Sequence, residues 1–167
     1  LNASKKYQRS VVGFLKRTSG VPVKLASNKF AAMWSMEPFV HESSALRNLS
    51  LDLTKLANDL RLLSSGPRTG FNEINLPAVQ PGSSIMPGKV NPVICECTNM
   101  ICYHVMGNDT AIALGSQAGQ LELNVMMPMI NYNLLQSIKI LTNGLKMLRT
   151  KCIDGITVNK EATQYYA

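Results

Sequence analysis

Charged residues are scarce in this chain of 167 residues, and their scarcity is the first guide to its class. They make up 16% of the sequence, whereas a soluble domain usually has about a quarter. No apolar run approaches the roughly 20 residues that a membrane-spanning helix needs, so lipid does not explain the missing charge. Burial against other subunits explains it, and we predict a homo-oligomer without a membrane segment.

Acidic residues are absent from the first thirty positions, which hold seven lysines and arginines. From residue 31 onward ten basic residues face ten acidic ones, so the formal net charge of +7 comes from one terminal segment. A basic amphipathic helix of this kind is typical of a solvated surface. We therefore predict that the chain does not bind nucleic acid.

Paired cysteine motifs are also missing, because none of the four cysteines belongs to a CxxC pair: Cys95, Cys97, Cys102 and Cys152. Three of them fall in one strongly helical stretch. A zinc site that includes His104 is one interpretation, and buried free thiols are the favoured one. Free thiols indicate a reducing compartment, and we predict a cytoplasmic location.

Only two histidines occur, at positions 41 and 104. His104 lies in an apolar helical stretch, so we expect it to be a hydrogen-bonded core residue. We expect His41 to be exposed. Neither is assigned a catalytic role.

Two of the three helical blocks in the sequence lie before residue 66. The first covers about 3–19 and ends at Gly20. The second begins at Asn28, a good N-cap residue, and runs to about residue 65 with a kink expected at Pro38. It carries leucines at alternating spacings of three and four, which predict a seam that packs against partner helices: Leu46, Leu49, Leu53, Leu56, Leu60 and Leu63.

The third block covers about 91–151 and is predicted to form two helices that break near Gly115. We expect Pro128 to bend the second of these helices without ending it. These helices are apolar nearly all round and must be covered on all sides. One stripe of apolar residues is predicted along the second helix: Leu123, Met126, Ile130, Leu134, Ile138, Leu141, Leu145 and Leu148.

A loop rich in glycine and proline, residues 66–90, separates the second and third blocks. Its last part combines two adjacent hydroxyls, flanking glycines and one lysine. It leads into Asn91-Pro92, which predicts a helix start with Asn91 as the N-cap. Such a helix end suits an anion. A capped surface loop with a solvated lysine is the alternative, and the spacing of a phosphate-binding Walker loop is absent.

The string GSSIMPGKVNP at residues 82–92 closely resembles the signature of the fumarase/aspartase superfamily of lyases. Three other segments, at 60–68, 107–109 and 121–125, resemble the same family. The resemblance implies an all-α fold built from the long antiparallel helices of the family's central bundle, with a long loop that carries a catalytic serine. It also implies that residues 1–167 form a partial central helical domain, without the family's N-terminal part and C-terminal small domain.

The resemblance also implies roles for residues of the loop. Ser83 matches the catalytic base, and Lys89 and Asn91 match residues that hold a substrate carboxylate. Ser84 and Met86 would line the closed loop. Glu96 matches a carboxylate that orients a histidine from another subunit, although a glutamate in the first turn of a helix is also favoured by the helix dipole alone.

Members of the family release either ammonia or water from a small dicarboxylate. Residues 72–77 and 118–126 resemble aspartate ammonia-lyases, whereas residues 28–30 resemble fumarases. We expect an aspartate ammonia-lyase that acts as a tetramer with active sites shared between subunits. Fumarate hydratase and a non-catalytic structural relative are the alternatives. The resemblance requires no cofactor, activation by a divalent metal is not readable from the sequence, and the 167-residue chain alone is expected to be inactive.

Overall fold

The computed structural model describes residues 2–166 and is mainly helical, which confirms the all-α prediction. Three long helices carry the core, and two strands of two residues each form a small antiparallel pair. The elements in chain order are α1 (Lys5–Ser19), α2 (Lys29–Trp34), α3 (Glu37–Leu63), β1 (Ile74–Asn75), α4 (Val93–Gln117), α5 (Met127–Lys151), a short 3-10 helix (Ile153–Gly155), β2 (Thr157–Val158) and α6 (Lys160–Tyr166).

The ends of the first two helices follow the sequence signals. Helix α1 ends at Gly20, whose φ of 68° lies in the left-handed region that glycine adopts without strain. The Asn28 side chain accepts a hydrogen bond from the Ala31 N–H and so caps α2. None of the residues of α1 is buried, as expected for a basic solvated helix.

Two predictions about prolines are wrong. The chain does not kink at Pro38; it breaks at Ser35 and Met36, and Pro38 lies in the first turn of α3. Pro128 likewise lies in the first turn of α5 and does not bend a longer helix. In both cases proline lies in the first turn of a helix. Backbone N–H groups there have no hydrogen-bond partner within the helix, so the N–H that proline lacks costs no hydrogen bond.

Helices α3, α4 and α5 pack as neighbouring antiparallel elements. The end of α3 and the end of α5 both meet the beginning of α4, in a core cluster made of Ala57, Leu60, Cys95, Leu148 and Cys152. The beginnings of the same two helices meet the end of α4 in a second cluster, made of Met36, Ile112, Ile130 and Leu134. Helix α4 is therefore the central helix of the three.

The buried face of α5 differs from the predicted stripe. Ile138 and Leu145 are 44% and 38% exposed, while Ser137 and Gly144 are buried in their place. These small residues let α4 approach closely: a Cβ added at Gly144 would lie 2.8 Å from Cδ1 of Ile101. The buried residues keep alternating spacings of four and three: Ile130, Leu134, Ser137, Leu141, Gly144 and Leu148.

Helix α3 shows the same preference for small residues at its contact with α4. Ser43, Ser50 and Ala57, seven residues apart, are buried. Leu49 and Leu56 of the predicted seam are 40% and 41% exposed. The leucine seam thus borders the contact, and only part of it is buried in this chain.

A buried carboxylate joins α3 to the second half of α4. Asp109 accepts a hydrogen bond from the Ser43 hydroxyl at 2.7 Å and pairs with Arg47 at 3.2 Å. The neighbouring Asn108 donates to the Ser137 hydroxyl on α5 at 3.0 Å. Buried polar groups that are satisfied in this way favour one register of packed helices.

Asn124 connects the end of α4 to the beginning of α5. Its side-chain amide donates to the carbonyl oxygens of Gly115 and Ser116 at 3.0 and 3.2 Å, and its oxygen accepts from the Met126 N–H at 2.8 Å. The residue is fully buried. Three backbone groups at two helix ends are therefore satisfied by one side chain.

The strand pair ties the segment before the serine loop to the chain after α5. Ile74 pairs with Val158 and Asn75 with Thr157, and the Asn159 N–H donates to the Glu73 carbonyl at 2.8 Å. Strands this short carry no sequence signal of their own. They hold the middle of the long connection between α3 and α4 against the chain that follows α5.

Large apolar side chains remain exposed on several helices and on the turn between α4 and α5. Leu121 is 89% exposed, and Tyr132 and Leu135 on α5 are 64% and 57% exposed. None of the helices within residues 2–166 is both long enough and apolar enough to cross a membrane. Exposed apolar surface of this extent is what the sequence predicts for a chain whose faces are covered by other subunits.

Candidate active site

Backbone hydrogen bonds close the serine loop at its base. The Gly82 N–H donates to the Lys89 carbonyl at 2.9 Å, and the Lys89 N–H donates to the Met86 carbonyl at 3.3 Å. Gly82 has no room for a side chain, because an added Cβ would lie 2.8 Å from the carbonyl carbon of Lys89. Gly88, with a φ of 77°, lets the chain turn back toward this base.

The Ser83 hydroxyl is held inside the loop by two backbone amides. Its Oγ accepts hydrogen bonds from the N–H groups of Ile85 and Met86, both at 3.1 Å. Such bonds are a common device for stabilising a loop. They also strengthen when the acceptor is charged, so they would stabilise a serine alkoxide more than a neutral hydroxyl.

The side chains at the tip of the loop point toward solvent. Ile85 is 87% exposed and Met86 is 51% exposed, and Ser84 and Lys89 are exposed as well. The Lys89 ammonium is therefore free to meet an incoming anion, while the Lys89 backbone closes the loop. The tip of the loop is therefore open to solvent.

Asn91 does not cap α4, and the predicted N-cap position is wrong by one residue. The helix begins at Val93 with Pro92 at the N-cap position. The Asn91 side chain instead donates to the Gly82 carbonyl at 3.2 Å. This bond orients the Asn91 side chain toward the loop, and Asn91 becomes part of the base of the loop.

A cavity of about 660 Å³ lies beside the loop, between the end of α3, β1 and the beginning of α4. Of the predicted site residues, Asn91 and Glu96 line it, whereas Ser83, Ser84, Met86 and Lys89 do not. Asn91 thus contacts both the cavity and the loop. The polar residues of the cavity wall are Asn58, Arg61, Ser64, Ser65, Asn75, Asn91 and Glu96.

Glu96 faces an arginine across this cavity. Its Oε1 lies 3.9 Å from the Arg61 guanidinium, and both side chains are about two-fifths exposed, at 39% and 42%. An exposed pair at this distance adds little to stability, so the carboxylate remains available to another group. Sequence analysis did not identify Arg61 or Asn58 as site residues. The only signal near them is the resemblance of segment 60–68 to the family, which includes Arg61.

Asn58 is held in the cavity wall by a buried amide on α4. Asn99 is 4% exposed and donates to the Asn58 side-chain oxygen at 2.8 Å. The side-chain oxygen of Asn99 has no hydrogen-bond partner among the described residues. Behind Asn58 there is therefore a buried polar atom whose hydrogen bonding is incomplete within the described residues.

The two histidines lie apart from the serine loop. His41 is exposed, as expected. His104 is exposed too, with its Nε2 3.2 Å from the Gln136 side-chain oxygen, so its predicted place in the core is wrong. The buried face of α4 passes through Cys102 and Val105, and position 104 lies off that face.

The zinc interpretation of the cysteines finds no support in the described part of the chain. No group of three histidine, cysteine, aspartate or glutamate side chains is close enough to hold a metal ion there. Cys95, Cys102 and Cys152 are buried free thiols, as predicted, and Cys97 is half-buried. Burial raises the pKa of Cys95 to about 12 and also raises the pKa of Cys102 and Cys152.

Comparisons with known proteins agree with the signature in the loop. A family described as "Lyase" matches residues 1–107. An aspartate ammonia-lyase from Pseudomonas aeruginosa is 52% identical over 161 residues, which cover 96% of this chain and 34% of the relative. A class II fumarate hydratase from Chromobacterium violaceum is 48% identical over 160 residues, which cover 96% of this chain and 35% of that relative.

The fold has a close solved counterpart. The structure of a fumarate lyase:delta crystallin from Brucella melitensis, bound to cobalt, matches with a TM-score of 0.90 and 48% identity, covering 99% of this chain and 36% of that one. The chain thus spans about a third of the length of the relatives it matches. These matches, together with the helical fold and the serine loop, show that the chain belongs to the fumarase/aspartase superfamily of lyases.

Proposed function

We propose that this chain supplies the base-bearing loop of a lyase that eliminates ammonia from L-aspartate to give fumarate. The observation that carries the proposal is the pair of backbone N–H groups on the Ser83 Oγ. Preorganised donors of this kind stabilise negative charge without rearrangement during the reaction. The name aspartate ammonia-lyase on relatives 46–52% identical to this chain supports ammonia as the leaving group.

The proposed reaction begins with the Ser83 alkoxide taking a proton from the carbon next to one carboxylate. The electrons of that C–H bond move into the carboxylate and give an aci-carboxylate dianion. Return of this electron pair forms the C=C bond, breaks the C–N bond of the neighbouring ammonium group and releases ammonia. Lys89 as a point charge and Asn91 as a neutral donor hold the carboxylate on which the charge develops.

The remaining roles complete the proposal. Ser84 and Met86 line the loop when it covers the substrate. Glu96, open to the cavity beside Arg61, orients a histidine from another subunit of a tetramer with shared sites. The exposed apolar faces of α3 and α5 are consistent with this assembly.

Elimination of water from malate is the second candidate, because the fumarate hydratase is nearly as similar to this chain as the ammonia-lyases are. Proton abstraction is the same in both reactions, and a serine base serves either leaving group. The two candidates therefore share Ser83, Lys89 and Asn91. They differ in the groups that bind the ammonium or the hydroxyl.

Two chimeras would separate these candidates. In one, residues 1–167 replace the matching segment of the Pseudomonas aeruginosa ammonia-lyase (the aspartase chimera); in the other they replace that of the Chromobacterium violaceum hydratase (the fumarase chimera). We expect the aspartase chimera to form fumarate from aspartate within about tenfold of its parent's kcat, and the fumarase chimera to lose much more. The 167-residue chain alone should show neither activity.

The reverse ranking of the chimeras would assign water as the leaving group. If both chimeras assembled as their parents do and neither formed fumarate, the proposal of a lyase active site in this segment would be overturned. Light scattering and circular dichroism of each chimera establish assembly and helicity before the assay.

Replacing Gly82 by alanine in the aspartase chimera should lower kcat by about 100-fold, because the added Cβ forces the base of the loop apart and shifts the Ser83 hydroxyl. Initial rates of fumarate formation measure the loss. Gly88→Asn is the matched control, since asparagine tolerates a positive φ and no atom lies within 4 Å of a Cβ added there. Equal losses in the two variants would contradict the role assigned to the closed base.

A further inference from the structure

Two buried cysteines meet where the beginning of α4 contacts the end of α5. The Sγ atoms of Cys95 and Cys152 are 3.8 Å apart, and the side chains are 0% and 2% exposed. They belong to the same core cluster, with Leu60 and Leu148 around them. A disulfide requires an S–S distance of about 2.05 Å, so the two sulfurs must approach by less than 2 Å.

Both cysteines lie at helix ends, where small movements cost least. Cys95 is the third residue of α4, and Cys152 follows the last residue of α5. Helix ends open locally at lower free energy than helix interiors. Cys152 has a non-helical backbone, with φ −131° and ψ −68°, so its side chain can shift without breaking the helix.

A small cavity reaches the pair from the side of Lys151 and Pro77. Its volume is about 10 Å³, and both Cys95 and Cys152 line it. That space is about the size of one water molecule. A reagent as small as a peroxide can reach the sulfurs after a slight opening, whereas a bulky disulfide reagent cannot.

We propose that Cys95 and Cys152 form a site of reversible oxidation, at which a small peroxide joins the beginning of α4 to the end of α5 by a disulfide. Neither cysteine has a role in the proposed lyase reaction, so the proposal is independent of it. Cys95 immediately precedes Glu96 and lies four residues after Asn91. The disulfide therefore fixes the beginning of α4, where Asn91 and Glu96 line the large cavity.

The oxidation takes two steps. Burial raises the pKa of both cysteines, and a hydrogen bond from Cys95 opposes the rise at Cys152. In the first step a thiolate, here that of Cys152, attacks one peroxide oxygen; the O–O bond breaks and leaves a sulfenic acid and hydroxide. The Cys95 sulfur then attacks Cys152 Sγ, the S–O bond breaks, and the two thiol protons end in two water molecules.

The test is treatment of the purified protein with hydrogen peroxide, followed by alkylation of free thiols and peptide mapping. We expect one peptide pair linked through Cys95 and Cys152, which dithiothreitol separates. The oxidised protein should melt about 5–10 °C higher, because the bond closes a long loop in the unfolded chain. Oxidised glutathione, which is too large for the cavity, should form the link much more slowly.

Three controls keep the test decisive. Cys97→Ser should leave the link unchanged, since Cys97 is half-buried and is not joined to another cysteine. Cys152→Ala should abolish the link. In guanidinium, which unfolds the protein, the wild-type chain should pair its cysteines without preference for Cys95 and Cys152. A link that forms at Cys97 as readily as at Cys95, or the absence of any link in the folded protein, would overturn the proposal.

Discussion

Replacing Ser83 by alanine in the aspartase chimera is expected to lower kcat by roughly 10²–10⁴-fold, the contribution that a positioned general base typically makes. The hydroxyl is the only group of this side chain that can take a proton, and the Ile85 and Met86 amides that stabilise its anion would then face a methyl group. KM for aspartate should change little, because Lys89 and Asn91 remain. Steady-state kinetics with aspartate measure both parameters.

Ser84→Ala is the matched control for this prediction. It removes an adjacent hydroxyl that is exposed, whereas the Ser83 hydroxyl is held by two backbone amides, so we expect a loss of no more than about tenfold. Circular dichroism and light scattering should show that both variants fold and assemble as their parent does. Turnover of the Ser83→Ala variant within tenfold of the parent would remove Ser83 from the role of base.

Replacing Asn124 by alanine is expected to reduce the free energy of unfolding by about 3 kcal/mol, since the fully buried Asn124 side chain makes three hydrogen bonds to backbone groups and all three are lost at once. The carbonyls of Gly115 and Ser116 and the Met126 N–H lie at the joined ends of α4 and α5. Without Asn124 the turn between these helices should loosen. Urea unfolding followed by circular dichroism measures the change.

Asn143→Ala provides the comparison, because Asn143 lies on the same helix pair but is exposed. Asn143→Ala should change the free energy of unfolding by no more than about 0.5 kcal/mol, as is usual for surface substitutions. A similar, small effect at both positions would show that the hydrogen bonds of Asn124 contribute little. Hydrogen exchange at the Met126 amide would then remain slow in the Asn124→Ala variant as well.

The positions of several helix ends differ from prediction for a common reason. Sequence signals at Asn91, Pro38 and Pro128 describe local preferences, and these do not include the groups that lie beside each residue in the fold. The Asn91 side chain donates to the Gly82 carbonyl, nine residues earlier in the chain, and does not cap α4. Both prolines lie in first turns, where they are tolerated better than within a helix.

The buried faces were harder to predict than the helices themselves. A stripe of large apolar residues on α5 was expected, yet Ser137 and Gly144 occupy the contact with α4 while Ile138 and Leu145 are exposed. Hydrophobic periodicity finds a helix that has apolar surface to bury, but it does not distinguish one apolar face from another when both are present. The exposed face stays a predicted contact with other subunits.

The amino-acid sequence determined the helical class of this protein, the caps of its first two helices and the loop 82–91 with its serine, because these depend on residues close together along the chain. Only the tertiary structure decided which small residues lie between the helices, that Asn91 closes the loop, that Arg61 faces Glu96 and that Cys95 meets Cys152. These contacts join residues from 9 to 66 positions apart, and their geometry depends on how α3, α4 and α5 pack, which no local pattern specifies.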